Sequence, residues 1–143
     1  MLKRPLLYLS DYFKRNRDEY YRCLQAVRDQ GDWERWIRFF LEGVKTVSLA
    51  ATDTARQIQR LRDEHRSMVS RELPKKAGSL VLLDHLFQQP ILTVSQVARI
   101  VERTYPAAAD LVSALEKLGL LQETTGWKRN RVYAYQKYLK LFE

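Results

Sequence analysis

The strongest chemical signal in this chain is cationic. Lys128, Arg129 and Arg131 lie within four residues of one another, beside Trp127 and just after Gly126. A turn carrying three charges cannot bury them, so they face water or an anionic partner. Phosphate is such a partner, because guanidinium and ammonium groups give it short, charge-assisted hydrogen bonds. Upstream, Tyr105, Ser113 and Lys117 fall on the predicted exposed face of one helix. Two hydroxyls and an ammonium there suit contact with DNA phosphates or base edges. That face also offers Ala107, Ala109 and Asp110, but no Arg, Asn or Gln for bidentate base contacts. Asp110 is expected to face phosphates unfavourably. The candidate DNA-binding residues are therefore Tyr105, Ser113, Lys117, Lys128, Arg129 and Arg131.

Other chemistry lacks its residues. His65 and His85 have no Cys, Asp or Glu at a recognised metal-ligand spacing, so both are read as solvated or partly buried side chains. Cys23, the one cysteine, carries no signature of a nucleophile and reads as a small buried hydrophobe. No Gly-rich phosphate loop is present. The expectation is no catalytic residue, no metal site and no cofactor.

The elements that must position the candidate residues occupy Ile91 to Tyr135. Thr93 can cap a helix starting at Val94, with Val97, Ala98 and Val101 recurring at helical spacing. Thr104 is a second cap candidate, and Pro106 is tolerated in a first turn. Ala108, Leu111, Val112, Leu115 and Leu118 form the stripe of the next helix, and Gly119 can close it in the left-handed conformation. Leu120 to Thr124 and Arg131 to Tyr135 read as strands joined by a tip at Thr125 to Asn130. Helix, turn, helix and hairpin make a winged helix-turn-helix, with the second helix in the major groove and the wing on phosphates.

The whole chain has 143 residues and a net charge of +8, which suits an acidic partner. The charge is spread evenly: residues 1–72 carry 15 basic and 11 acidic side chains, residues 73–143 carry 10 and 6. A lone cysteine fits a reducing compartment, and no stretch reaches the roughly 18 apolar residues of a membrane span. A cytoplasmic protein with no membrane contact is expected. Pro5 to Phe13 reads as a short helix with Leu6, Leu9, Tyr12 and Phe13 near one face. Lys14 to Arg17 reads as a polar connection, and Asn16 as a cap for a helix from Arg17 to Gln30. Asp32 should cap a long helix to about Arg71, with Gly43 a soft spot and a bend possible between Ser48 and Thr54. Its last part, Arg56 to Arg71, reads as exposed along most of its girth. The predicted fold is mainly α: a helical bundle portion over 1–72, a solvated linker over 73–78, and a winged helix over 79–143 in which Ser79 caps the first helix. Lys137 to Phe142 is expected to form a last short helix.

Several stretches resemble one family. Arg4 to Phe13, the paired Tyr20 and Tyr21, Gly31 to Trp36 and then Phe39, Phe40 and Leu41 resemble the C-terminal part of a Fic domain. Thr125, Gly126, Arg129, Asn130 and Arg131 match the hairpin of the winged helix that follows many such domains. The resemblance covers about Lys3 to Phe142. It implies descent from enzymes that transfer AMP from ATP to protein hydroxyls. Their active loop reads His-x-Phe-x-Asp/Glu-Gly-Asn-Gly-Arg-x-x-Arg, and this chain has no such stretch, so no catalytic residue carries over. Three readings remain open: a DNA-binding module; an interaction module that forms a homodimer through the helical domain; and the C-terminal part of an adenylyltransferase that needs a further portion.

Overall fold

The computed structural model describes residues 3–127 and 129–142, with the backbone alone for residues 3–8. Among the described residues the protein is mainly helical, with seven α-helices and a three-stranded antiparallel sheet. The chain forms two compact units, Met1–Ala55 and Arg56–Glu143.

The first unit holds α1 (Lys3–Arg15), α2 (Arg17–Gln30) and the first part of α3 (Trp33–Glu72). Helix α1 absorbs Lys14 and Arg15, which sequence had placed in a connection. Asn16 stands at the N-cap of α2 but makes no capping bond. Its amide turns back instead and donates to the Tyr12 carbonyl at 2.9 Å. Asp32 does cap α3, accepting the Arg35 N–H at 3.1 Å. Gly43 does not interrupt α3, which runs 40 residues and so roughly 60 Å. Between Ser48 and Thr54, where a bend is possible, the Thr52 hydroxyl donates to the Ser48 carbonyl at 2.8 Å and the helix continues unbroken.

Aromatic rings hold the first unit. Phe13 sits 5.8 Å from Phe39, 6.3 Å from Trp36 and 5.4 Å from Tyr20, measured between ring centroids. Such pairs contribute beyond the area they bury. Arg35 reaches back to the Glu19 carboxylate at 3.0 Å, and this holds that carboxyl below its usual range. Cys23 is fully buried, and burial pushes its thiol pKa up. A thiol held neutral is a poor nucleophile.

The second unit begins inside α3, not at the expected linker. Val69 is buried, and Ile58, Leu61 and Met68 pack on the same core. The stretch is exposed along most of its girth, as expected, and buries one face, because positions 58, 61, 65 and 69 recur at helical spacing. The 73–78 stretch is a tight turn. Lys76 N–H donates to the Leu73 carbonyl at 3.1 Å, and Ser79 N–H to the Lys76 carbonyl at 3.2 Å. Gly78, not Ser79, is the N-cap of α4 (Ser79–Leu86).

After α4 come β1 (Ile91–Thr93), α5 (Val94–Ile100), α6 (Tyr105–Lys117), β2 (Gln122–Glu123), β3 (Val132–Ala134) and α7 (Gln136–Leu139), then a 3-10 turn at Lys140–Phe142. Sheet order is β1-β3-β2. Leu92 lies opposite Tyr133, and Glu123 lies opposite Tyr133 on its other side. The core joins Leu82, Leu83 and Leu86 of α4 to Val97 of α5 and to Leu111, Val112 and Leu115 of α6.

Candidate nucleic-acid interface

Thr93 caps α5 through a reciprocal pair: Gln96 N–H donates to the Thr93 hydroxyl at 3.4 Å, and Thr93 N–H donates to the Gln96 side chain at 2.7 Å. That fixes the start of α5 beside α6. Thr104 holds the N-cap position of α6 without a side-chain bond, and Pro106 lies in the first turn. Gly119 closes the helix at φ +67°. With Ala108, Leu111, Val112 and Leu115 buried, Tyr105, Ala109 and Ser113 turn outward on one side.

That side faces a cleft of about 410 Å³. Its walls are Tyr105, Ala109 and Ser113 of α6, the Thr93 to Ser95 turn, and Arg129 to Arg131 with Tyr133 of the hairpin. Four of the six residues expected from sequence thus line one cavity. Lys117, the last residue of α6, is exposed but does not line it. Lys128 lies outside the described residues. Six residues that sequence reasoning did not nominate for the site are here too: Thr93, Val94, Ser95, Ala109, Asn130 and Tyr133. Asn130 was visible in the Arg-Asn-Arg triplet but lacked the charge that drew attention to its neighbours.

The hairpin tip is built around Glu123. Its carboxylate accepts the N–H groups of Thr125 at 2.9 Å and Gly126 at 2.8 Å, and also the Thr125 hydroxyl. The Thr125 hydroxyl bond is the largest cause holding the Glu123 carboxyl below its usual range, and Arg131 adds to it. Thr124 N–H donates to the Val132 carbonyl at 2.9 Å, closing the ladder. Arg131 Nε donates to the Trp127 carbonyl at 2.9 Å, so its guanidinium is anchored at one nitrogen while two remain for a ligand.

Asp110 lies apart from the cleft. Asp110 pairs with Lys76 and lines a different hollow, together with Lys75 and Arg103. Asp110 shares that hollow with Ala107, three residues before it on α6, and does not line the cleft. Two more cations are already engaged: Arg62 and Arg66 hold Asp84 at 3.1 and 2.8 Å, which keeps that carboxyl below its usual range.

The histidines differ from expectation in one case. His85 is half-buried, but His65 is completely buried against the second unit's core. Its Nδ1 meets the Tyr135 hydroxyl, and its Nε2 has no hydrogen-bond partner. Among the described residues no group of His, Cys, Asp and Glu is arranged to hold a metal ion, and no helix is long and apolar enough to cross a membrane. No family model matches the chain.

Proposed function

We propose that this chain is a DNA-binding winged-helix module of a Fic-type protein, without catalytic activity on its own. The observation that carries the DNA reading is the cleft: hydroxyls from α6 and two guanidinium groups from the hairpin line one open cavity. The order helix, strand, helix, helix, strand, strand with sheet order β1-β3-β2 supports the winged-helix reading. In this arrangement α6 enters the major groove. The hairpin cations bind phosphates, which fixes register without reading sequence. Changing Lys128, Arg129 and Arg131 together to Ala should weaken binding on every sequence. It should also flatten the log–log salt dependence by roughly two to three units, since each neutralised phosphate contributes about 0.9. Duplex titrations from low to physiological salt measure this. An unchanged slope in a variant that keeps its circular dichroism would remove the hairpin from the interface.

A second reading has its own observation. On α3, Trp33, Ile37 and Leu41 remain 61%, 52% and 57% exposed at successive turns, and Cys23 is the one buried hydrophobic side chain described in the first unit. Such a stripe favours association. We read it as the seat of a homodimer, two-fold closure being the commonest arrangement. Light scattering at micromolar concentration should give the mass of two chains. A monomer there would refute it.

A further inference from the structure

We infer that Asn130, on the hairpin, is the residue that reads a base, and that the base is adenine at its major-groove edge. The inference rests on the DNA reading above. If α6 faces a groove, its cleft side presents Tyr105, Ala109 and Ser113. None of these offers a paired donor and acceptor. The groups on the cleft wall able to make two parallel hydrogen bonds are Arg129, Asn130 and Arg131. The two arginines gain most from phosphate, the more strongly charged target. Asn130 is neutral and has no such alternative. Its amide, one acceptor beside two donors, is the complement of adenine N6 and N7.

The plain explanation of Asn130 is conformational. Its φ is +54°, in the left-handed region that Asn tolerates better than most residues. Yet a carboxamide retained only for a turn would be expected to bond back to the local backbone, as Asx turns do. Every nearby bond is made by other groups: Glu123, Thr124, Thr125 and Arg131 close the tip among themselves and with Trp127 and Val132. The Asn130 side chain makes no hydrogen bond to a described residue and lies on the cleft wall. Conformation accounts for the backbone, and base contact accounts for the side chain.

The two explanations separate by substitution. Asn130→Gly keeps the left-handed backbone at no steric cost and removes the amide. Asn130→Asp keeps tolerance of that backbone but leaves only acceptors, which suit the cytosine amino group. The full chain should be taken through selection from a random-sequence duplex library, as wild type, Asn130→Gly, Asn130→Asp and Gln88→Ala, the last an exposed residue away from the cleft. The wild type should enrich sites with adenine at one fixed position, favoured roughly ten-fold or more, as one bidentate contact gives. Asn130→Gly should lose that preference while still binding random duplex, and Asn130→Asp should shift it towards cytosine. Gln88→Ala should leave it in place. An adenine preference that survives Asn130→Gly, or disappears with Gln88→Ala, overturns the inference. Wild-type binding with no preference also overturns it and leaves the DNA reading standing. No duplex binding at all overturns both.

Discussion

Replacing Gly78 with alanine is expected to destabilise the second unit by roughly 2–4 kcal/mol. Gly78 has φ +86°, where an L side chain meets its own carbonyl. That backbone term alone is about 1–2 kcal/mol. A Cβ at this position would also stand 2.9 Å from Val101 Cβ and 3.1 Å from Val101 Cγ1. Val101 Cβ is bonded to the main chain, so no rotamer moves it aside, and relief requires that α4 and the end of α5 separate. Overpacking of this kind costs about 1–3 kcal/mol. The lower entropy of the unfolded alanine chain offsets at most about 1 kcal/mol. Gly119→Ala is the matched control, because Gly119 has φ +67° and nothing within 4 Å of the added carbon. Urea unfolding of the two variants separates the terms. Equal midpoints would show that Val101 yields without cost.

Between pH 7.5 and 5.5 the second unit should lose stability through His65. Burial is the first cause lowering its pKa from 6.5; the positive charge of Lys137 adds to it, and Glu64 opposes it. The unfolded chain therefore binds the proton at a higher pH than the folded one. The His65 contribution is complete above the unfolded pKa and is lost as pH falls towards the folded value, at up to about 1.4 kcal/mol per pH unit. Protonation would place a charged N–H at Nε2, where nothing accepts it. The Tyr135 hydroxyl does not share the titration, since burial raises its pKa. Carboxyls held low, such as Asp84 and Glu123, release their contribution only below about pH 5. Thermal melting of wild type and His65→Leu across the range should show a decline that the variant lacks. Parallel curves would assign the titration to another group.

What the sequence disclosed follows from the range of the interactions involved. The cap at Thr93, the stripe of α6 and the turn at Gly119 depend on residues a few positions apart, and all three were legible. β1 was not. Its three residues become a strand only because β3, some forty positions on, pairs with them. For Arg56 to Arg71 the exposed girth was legible, but not the unit to which its buried face belongs, for a related reason. Charges dominate the composition there, whereas the buried face is carried by Ile58, Leu61, His65 and Val69, one of them a histidine. Charge singles out Arg129 and Arg131, which line the cleft, and passes over Asn130, which lines it too and is marked only by its backbone conformation. The Lys76 partner of Asp110, thirty-four residues away, was out of reach of any local pattern.

The middle strand imposes a counting rule on how this protein can vary. β3 is hydrogen-bonded on both edges, and Tyr133 alternates with Val132 and Ala134 along it, with Arg131 and Tyr135 flanking it. A residue inserted or removed within it flips the residues on one side of the change relative to those on the other. Arg131 and Tyr133 in the cleft and the Tyr135 hydroxyl at His65 could then no longer all keep their places. Length changes between Gly126 and Arg129 leave that parity intact, because they fall outside the ladder. The reach of the hairpin is thus free to drift among descendants, while the strand behind it can change composition but not length.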